Sequence, residues 1–464
     1  MYDCIIVGGG PAGIFTAYEL MLKAPHLKVL LIDKGKDIYS RNCLILDKKV
    51  TKCPVGGCKP ACSITSGFGG AGAYSDGKFN ITSEFGGWLT SYLADSEVEE
   101  LIRYVDSINL EHGATLNITD PYTQKVKDIE KLGYGHGLKL LRAKLRHLGT
   151  EQNLKILQSI YEKLRTKIDF HFGEKVSDVI VEANQVKSVK LNGDTIEAKY
   201  VVLVPGRDGS DWMKERLQKY GVQFSNNQVD IGVRVETNNI IMEEINEHLY
   251  EGKFIFRTSV GTTVRTFCSN PSGHVVIENH SGIMLANGHA YKDEALGSKN
   301  TNFALLVSHE FKQPFNQPNE FAREVSKLAN RLSNGSIIVQ KYGDIKAGRR
   351  TTVKRLDEGF VSPTLKEAVP GDLGLVLPYN TMKSLIEMTE ALDFVTPGIA
   401  SEHTLFYGVE AKFYSARPEV NKNFETKISG LYVGGDGAGI TRGLAQAGAN
   451  GIVIARDIVD KSKN

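Results

Sequence analysis

The chain has 464 residues, 41% hydrophobic and 24% charged, with a formal net charge of +2. That length implies two or three domains with more than one core. The near-neutral balance leaves no electrostatic footprint for nucleic acid or an anionic membrane surface, and no apolar run reaches the ~18 residues of a membrane-spanning helix.

The first residues, "MYDCIIVGGGPAG", read as strand and turn, so no leader peptide is expected. Six cysteines in so long a chain do not make a disulfide scaffold, which points to reduced thiols and a cytoplasmic setting. Cys4 to Val7 is a short apolar strand. Gly8-x-Gly10-x-x-Gly13 follows, opening a helix that includes Pro11, Ala12 and Ala17. Gly8 permits the tight turn, Gly10 lets backbone approach a pyrophosphate, and Gly13 lets helix and strand pack closely. The helix start offers free N–H groups and a positive dipole end. A second apolar strand, Val29 to Ile32, ends at Asp33 and Lys34. Asp33 lies at the distance expected of an acid that accepts from an adenosine ribose. These features together predict dinucleotide binding.

Cys43, Cys53, Cys58 and Cys62 come next, separated by nine, four and three residues. The spacings match neither the paired C-x-x-C of zinc sites nor the usual iron–sulfur runs. Free thiols in a Pro/Gly-rich loop are expected, with no metal; a redox pair and a metal or cluster are the alternatives. "GFGGAGAYSDGK", Gly67 to Lys78, is too rich in glycine for a stable helix but suited to presenting backbone N–H groups. Leu154, Leu157, Ile160, Tyr161 and Leu164 mark an amphipathic helix. Strands broken at Ala183-Asn184-Gln185 and Asn192-Gly193-Asp194 follow, then an apolar strand ending at Pro205-Gly206.

Residues 216–400 carry no nucleotide fingerprint. They read as alternating strands with a helical stretch from about Asn302 to Leu332. Near the C-terminus, "ISGLYVGGDGAGITRGLAQAGANGIVIARDIV" reads as a strand, Leu431 to Val433, and a turn with Gly435 and Asp436. A helix with small residues Ala445, Ala447, Gly448, Ala449 and Gly451 closes the unit.

The pair of glycine motifs at opposite ends of the chain resembles the FAD proteins of the glutathione-reductase-like superfamily. More narrowly, the chain is similar to a poorly characterised group of FAD-dependent dehydrogenases. The Cys-rich segment, "HLGT", "TFCSNPSG" and "GGDGAG" carry that likeness. "GVEAKFYSARP", Gly408 to Pro418, departs from it. The resemblance implies an α/β fold: a discontinuous Rossmann-like FAD-binding domain with an inserted antiparallel α+β substrate domain. The boundaries are then 1–215 (with a Cys/Gly-rich insertion, 36–80), 216–400 and 401–464. It implies FAD contacts from Gly69, Gly70, Ala71, Gly72 and Ala73, with Ser75 and Asp76 at the flavin edge or capping the turn. Val176 would meet adenine through its backbone, Asp436 the ribityl chain, and Gly443 and Leu444 the pyrimidine end.

The expected activity is hydride transfer between FAD and a small organic substrate, as a dehydrogenase or C=C reductase. A flavin monooxygenase is one alternative and a non-catalytic flavin-bound assembly protein another. With no second glycine fingerprint, electrons would pass from NAD(P)H or a donor protein outside the chain. His403, Tyr407, Glu410 and Lys412 are the catalytic candidates, because "EHTLFYGVEAKFYSARP" gathers titratable groups before the last signature. Tyr414, Arg265 and Cys268 are further candidates, and Arg349 and Arg350 could bind an anionic substrate group.

Overall fold

The computed structural model describes residues 1–44, 47, 49, 50, 58–75, 77–249, 252–280, 282–291 and 294–463. Asp76 and Cys53 lie outside the described residues. Among the described residues no helix is long and apolar enough to cross a membrane. The chain divides into two units. The first is Met1–Thr119, Ala143–Asn226 and Ser415–Asn464; the second is Asp120–Arg142 and Asn227–Tyr414. The division falls at 226/227 and 414/415 rather than at 215 and 400. The physical reason is strand pairing: Leu405–Lys412 pairs with Val229–Asn238 and Ile338–Lys341, so it belongs to the second unit. Leu138–Leu141 likewise pairs with Lys253–Arg257 and takes 120–142 with it.

In the first unit, four parallel strands run in the order Asp169–Phe172, Val29–Asp33, Tyr2–Val7, Thr195–Leu203. Leu431–Val433 pairs parallel with the last part of Thr195–Leu203. The hairpin Asp178–Glu182/Gln185–Lys190 continues antiparallel from its first part. The central strands are buried on both faces, as parallel strands under helices must be, and so read as apolar runs. Register sets the site. Val7 is level with Ile32 and Leu203, and Leu203 with Val433. The turns after all these strands therefore emerge at one edge, where the strand order reverses, the place where open α/β sheets bind ligands.

The helix Pro11–Lys23 packs on the C-terminal helix Leu444–Ser462 at backbone distance. A Cβ on Gly451 would sit 2.2 Å from Ala12 O, and Thr16 Oγ1 donates to both Ala12 O and Gly451 O. The small residues of the last signature are what allow this. In the helix Thr150–Leu164 the buried stripe is Asn153, Ile156, Ile160 and Leu164, with Leu154, Leu157 and Tyr161 partly covered.

The second unit is an eight-stranded sheet in the order Val369–Pro370, Ile338–Lys341, Leu405–Lys412, Val229–Asn238, Asn300–His309, Thr263–Asn270, Lys253–Arg257, Leu138–Leu141. All neighbours are antiparallel except the first pair. The helix expected from Asn302 begins only at Pro318 and ends at Leu332; Asn300–His309 is a central strand. The core between sheet and helices takes Val229, Ile231, Val233 and Val235 together with Phe303, Leu305 and Val307. The alternate residues Asp230, Arg234 and Glu236 are also buried, so this strand hides a charged face as well as an apolar one.

Candidate functional site

The sheet edge of the first unit gathers the predicted dinucleotide residues. Gly8 has φ +119°, and a Cβ there would lie 2.2 Å from Val204 O. A Cβ on Gly13 would lie 2.0 Å from Gly8 O. Both glycines are fixed by the protein itself. Gly10 is different: its φ is −77°, and a Cβ would meet nothing within 4 Å. Pro11 starts the helix without an acidic residue or side-chain cap, so its first N–H groups face that open space.

Asp33 binds backbone. Its Oδ2 accepts from Gly9 N at 2.7 Å, and its Oδ1 from Gly35 N and Gly67 N at 2.7 and 2.8 Å. With about four lone-pair sites on a carboxylate, one on Oδ2 stays open for a ribose hydroxyl. Lys34, the neighbouring candidate, ion-pairs with Asp208 at 2.6 Å. The glycine-rich segment lies directly on this turn. Gly69 N donates to Gly9 O at 2.7 Å, and a Cβ on Gly70 would come 3.1 Å from Gly10 Cα. Gly70–Tyr74 forms a short 3-10 turn. Ala73 is buried in the core and presents no side chain outward. Ser75 is committed to the turn: its hydroxyl donates to Gly72 O at 2.7 Å and accepts from Gly77 N at 3.2 Å. That leaves Ser75 as a cap rather than a flavin-edge donor. Asn153 Nδ2 also donates to Gly72 O.

The C-terminal signature meets the same edge. A Cβ on Gly435 would touch the Ala12 Cβ at 3.5 Å, and one on Gly437 would lie 2.4 Å from Gly206 O. Gly206 and Gly435 both have φ +69°, open to glycine at no steric cost. Pro205 packs beside Gly8 and Gly209. Burial raises the Asp436 carboxyl above its ordinary value, while Arg442 and Arg207 work against that. The Arg207 Nε lies 3.4 Å from Asp436. Gly443 caps the last helix, and a Cβ on Gly72 would lie 2.7 Å from Leu444 Cδ2. Val176 is buried in the core after the strand Asp169–Phe172, leaving only its backbone for a ligand.

Sequence reasoning missed two supports here. Asn450, fully buried, accepts from Gly435 N at 2.8 Å and fixes the turn. Arg41, 4% exposed, holds four backbone carbonyls, Phe68 and Gly70 in the glycine-rich segment and Ser63 and Ile64 just before it. Arg41 belongs to no motif, and Asn450 sits inside the C-terminal signature among small residues that mark helix packing rather than a polar support. Cys43, Cys58 and Cys62 carry free thiols, and among the described residues no His/Cys/Asp/Glu group could hold a metal.

The catalytic candidates all lie in the second unit. Glu410 is fully buried and bound on two sides. Arg234 reaches it with Nε at 2.9 Å from Oε2 and Nη2 at 3.2 Å from Oε1. Lys412 Nζ lies 3.0 Å from Oε1. Arg234 also donates to Cys268 O and Asn287 Oδ1, so the contribution of Cys268 is its carbonyl. Tyr407 is enclosed in a small core and donates its hydroxyl to Glu236. Burial and the Glu236 carboxylate push that hydroxyl well above tyrosine's ordinary pKa, so it stays a donor. Tyr407 and Glu410 are thus locked in buried networks rather than open to a substrate. The His403 ring stacks on Phe360 with centroids 3.9 Å apart, and its Nε2 faces Glu402 at 3.6 Å. Of the four candidates, Lys412, 21% exposed, combines an accessible side with a buried ionic partner. Tyr414 donates to Asp230. Arg349 pairs with Asp344 at 2.6 Å, and Arg350 is exposed beside Pro370 O. A third residue missed by sequence reading is Arg234, the largest fully buried side chain among the described residues.

Comparison with known proteins bears on both units. A protein of Clostridium beijerinckii, described as uncharacterized, is 26% identical over 98% of this chain and 80% of its own length. Among solved structures, pyridoxine 4-oxidase from Mesorbium loti aligns with a TM-score of 0.45 and 12% identity, covering 98% of this chain and 99% of that one. Glycine oxidase from Geobacillus kaustophilus aligns at 0.39 and 12%, covering 99% and 95%. Residues 228–413 match the family described as FAD-dependent protein, C-terminal domain-like. That span is nearly coextensive with the main segment of the second unit, which is therefore similar to the C-terminal domain of FAD-dependent proteins.

Proposed function

We propose that this chain is an FAD-dependent oxidoreductase, acting as a dehydrogenase or C=C reductase on a small organic substrate. Gly10 is the observation that supports it most. Its backbone is ordinary, and among the described residues no atom would oppose a side chain there. Neither strain nor packing accounts for the glycine, whereas a pyrophosphate approaching the backbone does. The Gly8–Gly13 turn and the start of Pro11–Lys23 would hold that pyrophosphate. The open lone pair of Asp33 Oδ2 would take a ribose hydroxyl, and Asp436 a ribityl hydroxyl. The N-terminus of Leu444–Ser462 would favour negative charge on the ring. The flavin supplies hydride chemistry when bound. Lys412, held against Glu410, would offer an N–H donor on its accessible side. NAD(P)H or a donor protein is the proposed external source of electrons.

The test compares Gly10→Ala with Gly13→Ala. Gly10→Ala should leave the apoprotein's melting temperature unchanged yet lower FAD affinity by at least about tenfold, roughly 1.4 kcal/mol. Gly13→Ala should lower the melting temperature itself. Wild-type protein that takes up no FAD, or Gly10→Ala that binds it as tightly as wild type, would overturn the reading.

A further inference from the structure

Arg41 stands outside every glycine motif, yet it organises the segment that lies on Gly9 and Gly10. Its Nε donates to Ser63 O at 2.9 Å and its Nη1 to Phe68 O at 2.6 Å. Its Nη2 donates to both Ile64 O and Gly70 O at 2.9 Å. Four of five guanidinium N–H donors are thus used on backbone carbonyls. Tyr74 closes the arrangement: its hydroxyl donates to Arg41 O at 2.6 Å, and the guanidinium lies 5.1 Å from its ring.

Two consequences follow. The first concerns direction. In a trans peptide the carbonyl and the next N–H point opposite ways. Drawing Gly70 O toward Arg41 therefore turns Ala71 N–H away from it. Among the described residues Ala71 N has no hydrogen-bond partner, and the residue is exposed. Gly70 itself abuts Gly10 and Pro11. Among the described residues Ala71 N–H is an open donor beside the start of the first helix.

The second concerns charge. A guanidinium keeps its proton in a protein, and burial works against that charge here, with Tyr74 and Asp33 working for it. Among the described residues Arg41 makes no ion pair with a carboxylate. Asp33, the acid whose charge supports it, already accepts from Gly9, Gly35 and Gly67. Arg41 is thus a buried cation whose hydrogen bonds, among the described residues, all go to neutral carbonyls, while the Asp33 carboxylate acts on it as an opposite charge.

We propose that Arg41 is a positioning residue for the cofactor's diphosphate: it shapes the 63–70 segment and thereby presents Ala71 N–H beside the start of the first helix, where the diphosphate would lie. This rests on the FAD reading above. It assigns a role to a residue that touches carbonyls rather than the reacting atoms.

The experiment uses the full chain as apoprotein, with wild type, Arg41→Lys and Arg41→Met. Each is titrated with FAD, with ADP as a probe of the diphosphate half, and with riboflavin, which has no phosphate. Arg41→Met should lose about tenfold or more in affinity for FAD and ADP, within the usual range of coupling between a positioning residue and a ligand. Its riboflavin affinity should stay near wild type. Arg41→Lys keeps a cation but cannot bridge four carbonyls, and should fall between the two. If Arg41→Met does not fold, Arg41→Lys decides: a loss for FAD and ADP but not riboflavin supports the proposal. Equal losses for all three ligands, or no loss for FAD and ADP, overturn it. Wild type that binds neither FAD nor ADP would instead overturn the FAD reading, and this inference with it.

Discussion

Asp33 ties Gly9 to Gly67 across 58 residues of sequence: one carboxylate oxygen takes the N–H of Gly9 at 2.7 Å, and the other the N–H of Gly67 at 2.8 Å. A residue expected to serve only a ribose therefore also staples the glycine-rich segment to the nucleotide turn. Asn at this position would replace one acceptor oxygen with an NH₂ that faces backbone donors. Asp33→Asn should lower both the melting temperature of the apoprotein and its FAD affinity, and Asp33→Ala should lower them further. Each lost charge-assisted bond costs about 1.5–3 kcal/mol. Differential scanning fluorimetry with and without FAD checks this. A drop in FAD affinity with no change in the apoprotein would mean that Asp33 acts on the ligand alone.

The Gly8–Gly13 turn, the strands beside it and the C-terminal signature were legible because their signals are local. Apolar runs mark strands buried on both faces, and glycine spacing marks the turn between them. The same rule hid Asn300–His309. A central strand with apolar Phe303 to Val307 loses the alternation that separates strand from helix, and Phe303, Leu306 and Val307 also fit a helical stripe. Arg234 and Glu410 are 176 positions apart, so nothing in either segment announces their pairing. Arg41 could not be found at all, because its partners are carbonyls, which every residue has. The candidates Tyr407 and Glu410 were chosen for chemistry that their burial withholds.

Two histidines give stability a defined pH dependence. Burial, then Lys163, lowers the pKa of His112, with Glu111 opposing; burial lowers that of His309, with Asp230 opposing. The geometry at His112 fits the sign. The ring is partly buried, with Nε2 3.1 Å from Tyr18 Oη and Nδ1 2.7 Å from Ser159 Oγ. The Lys163 ammonium donates to that same Tyr18 hydroxyl at 2.5 Å, so a second proton on the ring would place a positive charge close to a cation. The unfolded chain binds that proton near the ordinary histidine value of about 6.5 and the folded one only at lower pH. Stability is therefore full above that value and falls as pH drops through it. The depressed carboxyls of Asp37 and Asp344 act separately, losing their contribution only below the ordinary carboxylate range. Melting temperature should fall between about pH 7.5 and about pH 5.5. The double variant His112→Gln/His309→Gln should flatten that slope. An unchanged slope in the variant would remove both histidines from the account.

Tyr407 and Glu236 form a buried pair that, among the described residues, has no cation bonded to it. Glu236 accepts from the Tyr407 hydroxyl, from Thr364 through both N–H and hydroxyl, and from Asn300 Nδ2 at 3.1 Å. Tyr407→Phe keeps the ring in its core and removes one of four donors from a buried carboxylate. The expected cost is about 1–3 kcal/mol of stability, with FAD affinity unchanged. Chemical denaturation beside an FAD titration separates the two. A variant as stable as wild type that binds FAD weakly would return Tyr407 to the site.

The Arg234–Glu410 pair decides how the charged face of the second unit holds together. Both side chains are buried, Arg234 entirely, and both are hydrogen-bonded or ion-paired to further groups: Cys268 O and Asn287 for Arg234, Lys412 for Glu410. Removing one partner strands a buried charge, a loss of about 3–5 kcal/mol. Arg234→Met should therefore destabilise strongly, because Glu410 would keep only Lys412. Glu410→Gln also strands a buried charge, the Arg234 cation, but should cost less than Arg234→Met because an amide oxygen still accepts from Arg234 and Lys412 is partly exposed. Arg234→Met/Glu410→Leu should be less destabilised than the sum of Arg234→Met and Glu410→Leu, because the stranded charge is gone in the double variant. Equilibrium denaturation of the three variants, closed as a double-mutant cycle, measures the coupling directly. An additive cycle would show that Glu410 is held chiefly by Lys412 and its surroundings. Coupling of the expected size would make Arg234 the residue that holds Glu410, and through it Lys412, in place.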